Sequence, residues 1–390
     1  MRRQMPASNT LGPTVFWALL PFQFMFGLIY AWGGMAPVIH AQSGWPDAAL
    51  DLAFSVTPLA LFPSVLLGGY LAGRHEPKHV LAAAWVCFAG GAASGLCTTS
   101  ATLFITGYAC LALGLGAGLS TPACVALIGR AMSGSRGRWS GALLAVYGCS
   151  AVVSAPLFHG LASYLPWRLA LAIVCSSYAA LGLIVLYNMP AAAQPGRGVA
   201  AGARRAQAPA WSRPVVRSVV VNALLLLASV PLGSMIFAAV GRLALAAGFS
   251  ASASVLAVTL MALANGAGRF AGGWLSDATS APTARSVMLA CAAAGYGALL
   301  LGQHERGAAA VFWALPLLAG FSFGGLAGKL PALAAHTSMA RATEVFSLYF
   351  GVFALSSFGG PMLSAALGFQ RAVTLCGGLT MVGFFISLII

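Results

Sequence analysis

Twelve apolar segments follow one another along this chain, and this repetition limits its fold more than any other feature. Each segment has about 20 residues or more, the length that an α-helix needs to cross a bilayer. In lipid only helices and closed barrels satisfy their own backbone hydrogen bonds, and barrel strands would be about 10 residues long and alternating. We therefore predict an all-α membrane protein. The predicted spans are 14–40, 49–72, 79–98, 101–128, 139–162, 166–188, 214–240, 250–273, 285–302, 308–333, 344–367 and 371–390.

The charge content excludes the common soluble classes. Charged residues make up 7 % of the chain and hydrophobic residues 60 %, whereas a soluble domain carries roughly 25 % charged residues. The net charge of +14 would suggest nucleic acid in a soluble protein, but here the basic residues lie singly or in small groups between apolar segments. We expect no nucleic acid partner. The eight cysteines all fall inside apolar segments without metal-ligand spacing, so we also expect no metal, no cofactor and no enzymatic activity.

The distribution of lysine and arginine predicts the orientation, since cytoplasmic loops of membrane proteins are enriched in these residues. With a cytoplasmic N-terminus, fourteen of the twenty basic residues fall on the cytoplasmic side and four on the external side. We therefore expect a multi-pass protein of the cell inner (plasma) membrane with both termini in the cytoplasm. The fourteen are Arg2, Arg3, Arg74, Lys78, Arg130, Arg136, Arg138, Arg197, Arg204, Arg205, Arg213, Arg217, Arg285 and Arg341.

The two halves of the chain repeat each other. Gly68-Gly69-Tyr70-Leu71 recurs as Gly272-Gly273-Trp274-Leu275, and two further pairs recur at the same offset of 203 or 204 residues. A parallel duplication of six helices is a known plan of transporters. We predict an N-terminal six-helix bundle (1–189), a basic linker rich in Ala, Gly and Pro (190–213) and a C-terminal six-helix bundle (214–390).

The loops after spans two and eight resemble the loop signature of the major facilitator superfamily, in which a glycine is followed by an acidic residue and basic residues. The first loop runs from Gly68 to Lys78 and the second from Gly268 to Asp277. The resemblance implies the major facilitator fold and a gating role for Arg74, Lys78 and Asp277. The first copy has Gly73 where the signature has its acid, which weakens the charge latch expected in that half.

Within the superfamily the chain resembles the oxalate:formate antiporters and the monocarboxylate transporters. The resemblance is carried by Gly27–Trp32 in span one, by Asn265–Arg269 in span eight and by shorter glycine motifs in spans five, ten and eleven. It implies that Arg269 binds a substrate carboxylate. The oxalate carriers add a lysine in span eleven, where this chain has Val352; this difference argues against a dicarboxylate.

The position of Arg269 supports an anion site independently. It lies eight residues before Asp277, about 12 Å of helix into the span, where an arginine costs at least about 2.5–3.5 kcal/mol unless it faces a polar cavity. Asn265 lies one turn earlier on the same face and could orient the guanidinium. The alternative is a structural arginine that reaches the interface or bonds backbone carbonyls.

Further candidates are weaker. Lys329 in span ten is either a second ligand or gate for the anion or a lysine that extends to the interface. By the logic of the repeat we place five aromatic residues near the central cavity, although any one of them could instead face lipid or pack in the core. They are Tyr30, Trp32, Tyr147, Phe323 and Phe350.

These observations predict a secondary transporter that is a monomer and works by rocking its two halves around a central cavity. The predicted substrates are small organic anions, with monocarboxylates as the favoured class. No span centre holds a carboxylate, whereas carriers of protons and cationic drugs normally use such groups. The alternative is an exporter of drugs or amphipathic metabolites with an apolar cavity. A membrane sensor is a third class, for which no soluble domain is evident.

Overall fold

The computed structural model describes residues 11–189, 211–302 and 308–389, and in these ranges it is a bundle of twelve helical spans. Three of the spans are interrupted. We number the spans α1 to α12 in chain order: α1 (Leu11–Phe26, Gly27–Ala31 and Trp32–Ser43), α2 (Asp47–Ala72), α3 (Pro77–Leu96), α4 (Ala101–Phe104, Ile105–Leu115 and Gly116–Ala131), α5 (Arg136–Ala162), α6 (Trp167–Asn188), α7 (Arg213–Ala246), α8 (Ala251–Ala278), α9 (Ala281–Gly302), α10 (Ala308–Gly328 and Leu330–Thr337), α11 (Ala342–Leu367) and α12 (Phe369–Ile389).

The surface of the bundle is suited to lipid. Eleven of the described helical stretches are long and apolar enough to cross a membrane, and α9 packs beside them against α10 and α12. Large apolar side chains point outward, among them Val86 (61 % exposed), Ile184 (58 %) and Val382 (56 %). Exposed apolar surface on this scale is not tolerated in water. The protein is a multi-pass membrane protein, as the sequence predicts.

The interruptions in α1, α4 and α10 depart from the continuous spans that the sequence predicts. A 3₁₀ segment, Gly27–Ala31, divides α1, and a π-helical segment, Ile105–Leu115, divides α4. In α10 the helix breaks at Lys329, and Pro331 opens the short helix that follows. Proline has no backbone N–H and clashes with the preceding turn, so it favours a break in the helix at this point.

The two halves of the bundle meet closely because glycines line the crossings. A Cβ on Gly273 of α8 would lie 2.9 Å from the Gly141 Cα of α5, and one on Gly137 of α5 would lie 2.7 Å from the Gly273 carbonyl oxygen. Such distances leave no room for a side chain. Small residues at helix crossings let backbones approach, which replaces the hydrophobic driving force that is missing in lipid.

The halves touch at both ends of the bundle. We call the end that carries Met189 and Trp211 the linker side and the opposite end the far side. On the far side, Nη1 of Arg242 in α7 donates to Oδ2 of Asp51 in α2 at 2.8 Å. On the linker side α2 packs against α11, where a Cβ on Gly69 would lie 2.0 Å from Ser347 Oγ. The central space is therefore closed at both ends in this conformation.

The sequence predicts that span nine begins at residue 285, but α9 begins one turn earlier, at Ala281, and Arg285 is buried within it, with 4 % of its surface exposed. The predicted linker, 190–213, lies almost wholly outside the described residues; its last residue, Arg213, opens α7.

Candidate functional site

Glycines position α8 deep between α5 and α10. A Cβ on Gly266 would lie 2.0 Å from Cys149 Sγ, and one on Gly268 would lie 2.0 Å from the Phe321 carbonyl oxygen. From the other direction, a Cβ on Gly324 of α10 would lie 1.9 Å from the Asn265 carbonyl oxygen. The close approach on both sides removes Arg269, which lies in the same stretch of α8, from all contact with lipid or water.

The Arg269 guanidinium lies in the interior, with 0 % of the residue exposed. Its Nε donates to Asn265 Oδ1 at 3.2 Å, and its Nη2 donates to the Tyr30 hydroxyl at 2.7 Å. The guanidinium carbon lies 5.1 Å from the centre of the Tyr147 ring and 5.6 Å from that of Tyr30, both within the range of cation–π attraction. The structure thus brings Arg269, Asn265, Tyr30 and Tyr147 together, and the arginine does not extend to the interface.

This cluster has unused hydrogen-bonding capacity. Arg269 Nη1 and Asn265 Nδ2 are buried donors without a hydrogen-bond partner among the residues that the structure describes. Among the described residues no carboxylate lies within ion-pairing distance of Arg269. Buried donors normally have partners, and leaving one unpaired costs about 1–3 kcal/mol, more for a charged group. The arrangement therefore suits an anion with at least two acceptor oxygens.

Tyr30 and Tyr147 separate the guanidinium from a small central cavity of about 40 Å³. Phe323 and Phe350 line the same cavity, so four of the five predicted aromatic residues share it. Its wall is aromatic and aliphatic except for the two tyrosine hydroxyls and two serines. The remaining lining residues are Ile29, Phe54, Pro58, Leu61, Ser234, Phe353, Ala354 and Ser357.

Trp32 is the aromatic residue that does not line the cavity, contrary to the sequence prediction. Its Nε1 donates to the Leu50 carbonyl oxygen at 2.9 Å, and its ring lies 6.1 Å from those of Phe104 and Tyr108. Side chains two residues apart on a helical segment point in different directions. With Tyr30 facing the cavity, Trp32 consequently faces α2 and α4.

Sequence reasoning missed several residues of the cavity wall. Phe353 lies one turn after Phe350, and their rings stack at 5.9 Å; the spacing of three residues is a signal that could have found it. Phe54 of α2 and Ser234 of α7 carry no comparable signal. The sequence pattern of an apolar residue in a span is the same whether the residue faces lipid, a neighbouring helix or a cavity.

Lys329 is buried, with 2 % of its surface exposed, but it does not face the central cavity. Its side chain lines a narrow cleft together with Asn222 and Arg285. Gly328, the residue before it, packs directly against the Arg269 backbone, so the helix break at Lys329 directs the lysine away from Arg269. The structure does not bring the two predicted anion ligands together.

The three residues of the loop signature differ in what they contact. Asp277 bridges the halves, since Oδ1 accepts from the Gly137 N–H at 3.0 Å and Oδ2 from the Arg138 N–H at 2.7 Å. A carboxylate is favourable there, because a helix N-terminus carries partial positive charge. Arg74 instead donates to the Tyr70 hydroxyl and lies over its ring. Lys78 opens α3 without an ion pair among the described residues.

Comparison with known proteins establishes the family. The chain matches the Major Facilitator Superfamily over residues 16–361, and it belongs to that superfamily. Its fold is similar to that of the human organic anion transporter MFSD10 (TETRAN), with a TM-score of 0.69 and 18 % identity over 98 % of this chain and 100 % of that one. It is also similar to the proton:xylose symporter XylE bound to 6-bromo-6-deoxy-D-glucose, with a TM-score of 0.66 and 14 % identity over 96 % of this chain and 95 % of that one. No curated protein matches the chain.

Proposed function

We propose that this chain is a secondary transporter that works by alternating access. Its substrates are small organic anions, and the favoured class is monocarboxylates. One observation carries the proposal: the buried Arg269–Asn265 pair holds two donors, Arg269 Nη1 and Asn265 Nδ2, that have no hydrogen-bond partner in the described part of the chain. The likeness to solved transporters is too distant in sequence to indicate a substrate. The substrate class therefore rests on the site.

The charge of the site favours a single negative charge on the substrate. Removing one partner of a buried ion pair is costly, so a buried unpaired cation is stabilised when an anion arrives. Arg269 is the only cation that contacts the rings of the central cavity wall in the described part of the chain. Lys329 lines a different space, and residue 352 is a valine. A monocarboxylate matches one guanidinium, whereas a dicarboxylate would carry an uncompensated charge.

The wall of the cavity favours an apolar body on the carboxylate. Aromatic and aliphatic side chains make up most of the lining, and they can receive a hydrocarbon or aromatic group while the guanidinium holds the two oxygens in a bidentate fork. At about 40 Å³ the cavity holds only a few water molecules. The substrate consequently enters after the halves move apart on one side.

The bond between Tyr30 and Arg269 links substrate access to this movement. Tyr30 lies on α1 and Arg269 on α8, so their 2.7 Å hydrogen bond joins the two halves. When the halves separate, this bond breaks and the guanidinium gains a second free donor. An arriving carboxylate replaces the phenol, and its release lets the bond re-form.

The test is counterflow in liposomes reconstituted with the purified protein. We expect a panel of labelled monocarboxylates with short aliphatic or aromatic bodies to accumulate, and unlabelled members to compete. Matched amides of the same acids should neither accumulate nor compete, because they lack the charge. Equal transport of acid and amide would contradict the proposal.

The apolar lining also supports a second candidate, the export of a neutral or amphipathic compound. The same liposomes discriminate between the two. Transport of a neutral amphipath that is unchanged in Arg269→Gln would favour the exporter, whereas loss of flux in that variant would favour the anion carrier.

We propose further that the linker side faces the cytoplasm, in the plasma membrane of the cell. Basic residues gather on that side, and the positive-inside rule then sets the orientation. Reporter fusions after Gln194 and after Ile390 should both report a cytoplasmic position. A reporter signal from the external side at either fusion would contradict this orientation.

A further inference from the structure

A second cavity with strong positive charge lies away from the central site. It has a volume of about 460 Å³ and opens at the linker-side ends of α7 and α9. Arg213, Arg217 and Arg285 line it together with Ser218 and Asn222. Neither the transport of an anion through the central cavity nor the gating contacts of Asp277 and Asp51 use these residues.

The inner wall of this cavity is formed by Arg285, which is more than nine-tenths buried. Its Nη1 donates to Asn222 Oδ1 at 3.1 Å, and its Nη2 donates to the Ser387 carbonyl oxygen of α12 at 3.5 Å. These two contacts hold the guanidinium in place. Its Nε is buried and has no hydrogen-bond partner within residues 11–189, 211–302 and 308–389, so the site keeps a fixed charge and an unused donor.

Lys329 adds a second buried positive charge next to Arg285. The two side chains line one narrow cleft behind Asn222. Among the described residues, no carboxylate forms an ion pair with either of them. Two adjacent buried cations repel each other and lose hydration, so an anion nearby would stabilise both of them.

We propose that this cavity binds a phosphate group, either in the headgroup of an anionic lipid or as free phosphate. Three arginines around one opening match the several oxygens and the charge of a phosphate, which guanidinium groups hold in bidentate fashion. The cavity lies at the end of the bundle between α7 and α9, where a headgroup can reach it from the bilayer. Basic pockets of this kind between helix ends bind anionic headgroups.

Binding of a lipid headgroup is tested by native mass spectrometry of the purified full-length chain. The protein is incubated with equal amounts of phosphatidylglycerol and phosphatidylcholine, and the bound lipid is counted. We expect selective retention of phosphatidylglycerol, since the choline cation is repelled by the arginines. Arg285→Gln should weaken this retention about tenfold. Arg217→Gln, at an exposed position, should weaken it about threefold.

The second arm measures labelled inorganic phosphate by equilibrium dialysis in the absence of anionic lipid. Phosphate binding that falls in Arg285→Gln and Lys329→Gln, without selective retention of lipid, would identify free phosphate as the ligand. Arg138→Gln is the matched control, an exposed arginine on the same side of the other half, and it should behave as wild type in both arms. If Arg217→Gln and Arg285→Gln bind both probes as tightly as Arg138→Gln does, the proposal is wrong.

Discussion

Replacing Arg269 with glutamine should reduce monocarboxylate transport by about a hundredfold or more, because a buried carboxylate would lose its partner charge. Glutamine keeps some hydrogen-bonding capacity but neither the charge nor the bidentate fork. The variant should still reach the membrane in normal amount, since removing a charge from the interior of a span removes a cost of insertion. Initial rates of counterflow at matched protein density are the measurement.

Two further substitutions should reduce transport by smaller amounts than Arg269→Gln does. Arg269→Lys keeps the charge without the fork and should leave a small fraction of transport. Asn265→Ala removes the acceptor that orients Arg269 Nε and should cost less than either change at Arg269. Arg371→Gln removes an exposed arginine at the start of α12 and serves as the control. Wild-type rates in well-expressed Arg269→Gln protein would eliminate the anion site.

Replacing Gly69 with leucine should hold the protein open on the linker side and lower transport by about tenfold or more. A Cβ at this position would lie 2.0 Å from Ser347 Oγ and 2.7 Å from Ser347 Cβ. A leucine therefore cannot fit between α2 and α11 unless the two halves separate there. The conformations that close the linker side become too costly, and the transport cycle stops with one side open.

Labelling of Cys149 reports this opening. Its sulfur faces Gly266 across the α5–α8 contact, and an impermeant maleimide should reach it faster in Gly69→Leu than in wild type, as peptide-resolved mass spectrometry can show. Asp277→Asn should raise labelling by a smaller factor, since it weakens the linker-side contact to the α5 N-terminus without adding bulk. Gly90→Leu is the matched control, because Gly90 of α3 has open space beside it. Normal transport and labelling in Gly69→Leu would contradict this account of the gate.

Much of the architecture follows from the sequence, because the bilayer imposes helices of a definite length. The twelve spans, the all-α class and the superfamily could be predicted from apolar runs and from two glycine-rich loops. Arg269 could be singled out for the same reason, since a charge inside an apolar span is costly and needs a function or a partner. Its relation to Asn265 is equally local, as the two residues lie one helical turn apart.

What surrounds Arg269 depended on the tertiary structure. Tyr30, which contacts Arg269, lies 239 positions away in the chain. Such a contact depends on how α1 crosses α5 and α8. Trp32 and Phe353 show the limit most clearly. Trp32 lies in a motif of the family that the sequence resembles, yet it faces away from the central cavity. Phe353 belongs to no motif, yet it lines that cavity.

The basic residues show the same division. By sequence, Lys329 lies inside span ten and Arg285 at the cytoplasmic start of span nine, so nothing placed them in one cleft. The break of α10 at Lys329 and the earlier start of α9 at Ala281 bring the two cations together and separate Lys329 from Arg269. Local sequence determines that a residue lies in a helix and at what depth. The direction of its side chain is set by the packing of helices that are distant in the chain, and that packing depends on the glycines at each crossing.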